Sequence, residues 1–220
     1  MKRSAQDKFV ILYDTAKKCL LILDHLYADF ENGTLQAREA VKVENDPSIV
    51  TKIYISALGL IDYFHRFNEI ISAMTLIRKD TPHIKKLNRA IGPVKDCRNY
   101  LQHMRSDLMK GGPIQYPILG AISWVHEGRN YTLFPHQPTQ GVNLPSIAFD
   151  TFAGKYVSKY LLIVGGHEIQ LDTVYAEVKA FWRWLDKVVV IEPPQIKDYL
   201  WGKPMILYSE FKKTLTPGSS

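Results

Sequence analysis

Apolar residues near the start of the chain recur at three- and four-residue steps: Phe9, Leu12, Tyr13, Ala16, Cys19, Leu20, Leu23, Leu26, Tyr27 and Phe30. That rhythm predicts an amphipathic helix from about Asp7 to Phe30. Asn32-Gly33 is expected to end it, because both residues tolerate a left-handed backbone. A polar connection follows from Thr34 to Asn45, and Asp46-Pro47 then gives a start signal of N-cap aspartate and first-turn proline. The second helix is expected to reach about Ile77, with Ile53, Tyr54, Ala57, Ile61, Phe64 and Ile71 on its apolar side. Thr81-Pro82 repeats the start signal. Gly92-Pro93 is expected to interrupt this third helical region, since proline lacks the helical donor and crowds the preceding turn. A helix from Pro93 to about Gly111-Gly112 should follow.

The pattern shortens after Gly112. Residues 114 to 171 are rich in Tyr, Ile, Val, Pro and Gly, a composition that favours strands and turns. Ile118 to Val125 and Tyr131 to Phe134 read as two strands joined through Glu127-Gly128-Arg129-Asn130. Tyr156 to Val164 and His167 to Leu171 read as a hairpin turning at Gly165-Gly166, where positive φ costs little. Pro135 to Pro145 reads as a loop. Asp172 is placed to cap a last helix, on which Val174, Val178, Phe181, Leu185 and Val188 repeat in a 4-3-4-3 pattern. That helix should end before Pro193-Pro194.

The expected fold class is mainly α (α+β): a helical bundle with a small antiparallel β insertion between the third helical region and the last long helix. The expected segments are 1–112 for the bundle, 113–171 for the β-rich insertion and 172–220 for the returning helix and tail, forming one domain overall. A chain of 220 residues can bury a core of that size.

Composition narrows the function less than the pattern narrows the fold. Hydrophobic residues make up 46% and charged residues 23%, as in an ordinary folded protein. There is no apolar run of membrane-spanning length, and Met1 to Lys8 lacks the continuous apolar stretch of a signal peptide. A cytoplasmic protein is therefore expected. Cys19 and Cys97 are the only cysteines, too few for a disulfide framework or a zinc site by themselves. Both fall on apolar stripes and read as reduced core residues. A net charge of +6 agrees with a polyanionic partner such as RNA.

Chemistry concentrates in Cys97-Arg98-Asn99-Tyr100-Leu101-Gln102-His103-Met104. Val94, Cys97, Leu101, Met104 and Leu108 form a 3-4-3-4 apolar stripe that should face the bundle core. Asn99 and His103, four apart, share another face well round from that stripe. Arg98 lies at the stripe's flank, with a side chain long enough to curl toward the same pocket as His103. An arginine can hold a phosphate by paired hydrogen bonds, and a histidine can move a proton near neutral pH. Each residue also has an ordinary explanation: a solvated surface histidine, and an arginine paired with Asp96, Asp107 or another helix. Their combination is what asks for chemistry.

The spacing Arg98-Asn99-x3-His103 resembles the Arg-x4–6-His motif of the HEPN superfamily of helical bundles. The resemblance covers residues 7 to 110, with 172 to 190 as a further match, and the β segment departs from the minimal family pattern. It implies a metal-independent endoribonuclease, with no cofactor, whose site forms where two motif helices meet in a homodimer. By that resemblance Arg98 would hold the scissile phosphate, His103 would transfer protons and Asn99 would orient either. It further implies a defence or toxin–antitoxin role, with an antitoxin or nucleotidyltransferase partner. Glu69 and His65, beside Asp62 on the second helix, are candidate accessory residues. The alternative is a non-catalytic HEPN-like module that binds a protein or nucleotide.

Other candidates carry less. His126, His136 and His167 are irregularly spaced, and no metal site is expected from them. Phe181-Trp182-Arg183-Trp184 invites comparison with base-stacking surfaces. Phe181 lies on the core stripe, however, and Trp182 and Trp184 are expected to pack against the β element. Gly165-Gly166 is a turn, since neither a GxxxxGK[ST] pattern nor a helix start follows it.

Overall fold

The structure is a computed structural model that describes residues 5–40, 47–109, 119–135 and 147–189. Four helices dominate: α1 (Ala5–Ala40), α2 (Pro47–Ala73), α3 (Pro82–Met109) and α4 (Leu171–Val188). Between α3 and α4 lie the strands β1 (Ala121–His126), β2 (Arg129–Leu133), β3 (Phe149–Asp150), β4 (Lys155–Tyr156), β5 (Tyr160–Val164) and β6 (His167–Gln170). The fold is mainly α with a small antiparallel sheet, as the periodicity predicts. Among the described residues no helix is long and apolar enough to cross a membrane.

The helices alternate in direction. Gly33 of α1 meets Ile53 of α2, Gly59 meets Leu26, and the Cys19 thiol lies 3.5 Å from the Tyr63 carbonyl. Those pairings run antiparallel. α4 returns antiparallel to α1: Tyr175 donates 2.7 Å to Asp24 near the start of α4, and Tyr13 donates 2.5 Å to Asp186 near its end. The buried side chains of all four helices and of the inner sheet, among them Phe30, Phe64, Ile91, Ile122, Ile169 and Phe181, form one hydrophobic cluster.

Two helices run further than expected. α1 passes through Asn32-Gly33 and continues to Ala40. Gly33 serves helix packing here: a Cβ built on it would lie 2.8 Å from Ile53 Cγ1, and Ile53 is fully buried. α3 likewise continues through Pro93. Gly92, Pro93 and Arg89 face solvent, so the Arg89 carbonyl left without its helical donor can be hydrated. Ile91 and Val94 are buried on the opposite side and hold the two halves in one line. The start signal at Thr81 is used, with the Ile84 N–H donating to Thr81 Oγ1 at 3.4 Å. Asp46, Gly111-Gly112, His136, most of the 135–145 loop and the Pro193-Pro194 stop lie outside the described residues.

The sheet runs in the order β2-β1-β5-β6, with β3 and β4 in a separate two-stranded ladder. Both expected hairpin turns are present, but the strand expected from Tyr156 to Val164 is divided: Tyr156 belongs to β4, and β5 begins at Tyr160. The first turns at Glu127 (φ 48°) and Gly128 (φ 72°), and the second at Gly165 (φ 55°) and Gly166 (φ 78°). Two successive left-handed residues match the twist of the flanking strands. Gly165 meets a second demand, since a Cβ there would sit 2.6 Å from the Tyr100 ring of α3. The Tyr54 hydroxyl ties α2 to the sheet, 2.9 Å from the Gly120 carbonyl and 3.2 Å from that of Leu133.

Two local expectations are revised. The residue before α4 is Gln170, without a side-chain cap. Asp172 instead accepts from Ser158 Oγ (2.5 Å) and from the backbone N–H groups of Lys159 (3.0 Å) and Tyr160 (3.2 Å). It fastens the entry to β5. Trp182 and Trp184 pack against helices and not the sheet: Trp182 lies 4.9 Å from Tyr13 of α1, and Trp184 stacks at 4.5 Å on His83 of α3.

Candidate functional site

The buried stripe of α3 sets where its polar residues point. Ile84, Leu87, Ile91, Val94 and Cys97 are all buried, which fixes the helix's rotation against α2 and α4. Leu101 and Met104 continue the stripe half-buried. Arg98 then falls on the flank nearest α2, while Asn99 and His103 face solvent. Neither exposed side chain makes a hydrogen bond to a described residue.

Arg98 reaches across to α2. Its Nε donates to Asp62 Oδ1 at 3.1 Å and its Nη1 to Gln102 Oε1 at 3.2 Å. The second Asp62 oxygen accepts from Arg66 Nε at 2.6 Å. One carboxylate thus joins two guanidinium groups. Partial burial acts to raise the Asp62 pKa, but the hydrogen bonds and charges of Arg66 and Arg98 outweigh it and hold the group below its ordinary range. The Asp62 side chain is 36% exposed and that of Arg98 22%, so solvent screening limits what the pair adds to stability.

His65 lies one turn beyond Asp62 on α2. It is half-buried, and its Nδ1 is buried without a hydrogen-bond partner, as is Asn68 Oδ1 one turn further on. Burial lowers the His65 pKa first, and the positive charge of Arg98 adds to that effect. Glu69 and Asp62 oppose the shift, and Lys95 adds to it. The α2–α3 groove therefore gathers Asp62 and His65 from one helix with Lys95, Arg98 and Gln102 from the other.

Within one chain the structure sets Arg98 on Asp62, with His65 within reach of its charge, and not on His103. Five residues of helix separate Arg98 from His103 by about 140° of rotation and about 7.5 Å of rise. The ion pair expected with Asp96, Asp107 or another helix is made with another helix, through Asp62. Glu69 is exposed beside the groove. Sequence reasoning singles out neither Lys95 nor Gln102, and it names Asp62 only as a neighbour of Glu69 and His65. The Asp62–Arg66 spacing signals only that local pair. What brings Arg98 to the same carboxylate is the register between α2 and α3.

The remaining histidines divide. His126 Nε2 contacts Arg38 Nη1 and lies 3.4 Å from Glu127, which also pairs with Arg38 at 3.5 Å. His167 opens β6. Among the described residues, no three His, Cys, Asp or Glu side chains are grouped as a metal site would require. In comparisons with known proteins, the chain matches no family model, no curated protein and no solved structure.

Proposed function

We propose that the protein is a metal-independent, HEPN-type endoribonuclease. Arg98 binds the scissile phosphate, His103 transfers a proton, and a second copy of the chain completes the site. The observation that carries this reading is the division of labour on α3. The core uses Ile91, Val94 and Cys97, while Asn99 and His103 stand on a face that no described residue occupies. A guanidinium held through Nε and Nη1 is already oriented when a phosphate arrives, which favours stabilising charge that develops during cleavage. The +6 net charge favours a polyanionic substrate. Asn99, next to Arg98, orients the phosphate or the histidine, and Glu69 is an accessory group. The reading includes a cytoplasmic location and a defence or toxin–antitoxin role with an antitoxin or nucleotidyltransferase partner.

One observation favours a non-catalytic module. Asp62 and Gln102 satisfy two donors of Arg98 without any substrate, as a structural ion pair would. Incubation of the protein with RNA in EDTA separates the readings. The ribonuclease reading expects products with 2′,3′-cyclic phosphate ends. It also expects a loss of about 10²–10⁴-fold in rate for His103→Ala, and of about 10²–10³-fold for Arg98→Ala. Equal cleavage by the wild type and both variants would contradict it, as would no cleavage by any of them.

A further inference from the structure

The ribonuclease reading leaves one buried feature unused. Buried polar atoms are nearly always hydrogen-bonded, and an orphan needs a reason. His65 Nδ1 is such an orphan, in the groove toward which Arg98 extends. Among the described residues no hydrogen bond is made to the ring, so neither tautomer is fixed. With Nδ1 buried, Nε2 of this half-buried ring is the nitrogen left to meet a bound molecule. His65 is one helical turn from Asp62, the residue that receives Arg98, whereas His103 lies on another face.

We infer that His65 is the proton acceptor of the Arg98 site, taking the 2′-hydroxyl proton of an RNA whose phosphate Arg98 holds. The inference rests on the ribonuclease reading and adds to it a second histidine with a distinct role. A general base must be unprotonated when substrate binds. The groups facing His65 are Asp62 and Glu69 on its own helix and Arg98 and Lys95 on α3. Burial and the two cations outweigh the two carboxylates, so the neutral ring is favoured at neutral pH. His103, exposed on another face of α3, is left for the leaving-group side of the reaction.

The step balances without a co-reactant. His65 takes the proton from the 2′-hydroxyl, and the 2′-oxygen forms a bond to phosphorus. The bond from phosphorus to the 5′-oxygen breaks, and that oxygen takes a proton from a His103 imidazolium supplied across the interface between copies. The products are a 2′,3′-cyclic phosphate and a 5′-hydroxyl. The two histidines return to their starting forms by proton exchange with water.

A change of leaving group tests the assignment. Cleavage of RNA and of a uridine 3′-(p-nitrophenyl phosphate) is measured across pH for the wild type, His65→Gln, His103→Gln and Arg98→Ala. The aryl oxide leaves without a proton, so it needs the base and not the acid. On RNA both histidine variants should lose about 10²-fold or more. On the aryl ester His103→Gln should come back to within about tenfold of the wild type, while His65→Gln stays low and loses the acidic limb of kcat/KM. Added imidazole should restore cleavage by His65→Ala, which a merely structural role would not allow. If His65→Gln keeps both the wild-type rate and the acidic limb while Arg98→Ala is inactive, His65 is not the base and the ribonuclease reading stands. If the wild type does not cleave RNA, both fall.

Discussion

Asp62 is the residue on which the groove's electrostatics turn, since it binds Arg66 and Arg98 at once. Its depressed pKa means that the folded state holds this proton less tightly than the unfolded chain does. The stability it contributes is present above the unfolded value of 3.8 and is lost as pH falls through the lower folded value. His65 acts in the same direction at higher pH. Its folded pKa also lies below the ordinary 6.5, so protonation below that value favours the unfolded chain. Thermal melts over falling pH should therefore show the midpoint dropping in two segments. His65→Gln should remove the drop that begins near 6.5, and Asp62→Asn the one that begins near 3.8. A midpoint that is flat through both windows would contradict the assignment. Asp62→Asn should also free the Arg98 fork for phosphate, tightening RNA binding at low salt and steepening its salt dependence by about one unit of slope.

Helix lengths and glycines show what a single sequence can and cannot reveal at the scale of elements. The paired glycines of the β5–β6 turn, the period of α2 and the cap at Thr81 act locally, so the sequence predicts them correctly. Gly33 and Pro93 were misjudged because what overrides their local preference is tertiary. Gly33 lets α1 approach Ile53, and Pro93 is tolerated where its lost hydrogen bond faces water. The same holds for Arg98: its residue type was legible, but its partner Asp62 depends on inter-helix register. Gly33→Ala should destabilise despite alanine's better helix propensity, because Ile53 cannot yield; a net loss of about 1–2 kcal/mol is expected from overpacking. Pro93→Ala should do the reverse, restoring the bond to Arg89 and raising stability by about 1–3 kcal/mol. Urea unfolding midpoints measure both, and a stabilising Gly33→Ala or a neutral Pro93→Ala would contradict these packing accounts.

For the whole molecule, the sheet is part of the core. Ile122, Leu162 and Ile169 are fully buried within the cluster that includes the bundle helices. Deleting residues 114–171 would therefore remove core as well as surface, so partner binding to this region is probed on Phe149 of β3 and Phe152 of the following turn, both exposed. Global cooperativity has its own reporters. Burial pushes the Cys97 thiol up to about 12 and the Cys19 thiol up to about 11, so neither is a thiolate near neutral pH. Both should resist a thiol reagent in the native protein and react only as fast as the molecule opens. Fast labelling of either without denaturant would contradict the packing of α1 or α3.

The central claim is that Arg98 and His103 act in one site made by two copies. Subunit mixing tests it most directly. Arg98→Ala and His103→Ala are purified separately, shown to be inactive on RNA in EDTA, then mixed under conditions that allow exchange. Recovered cleavage with 2′,3′-cyclic phosphate ends is the expected result, because each mixed pair carries one intact Arg98 and one intact His103. A mixture as inactive as its components, beside an active wild type, would contradict a shared site.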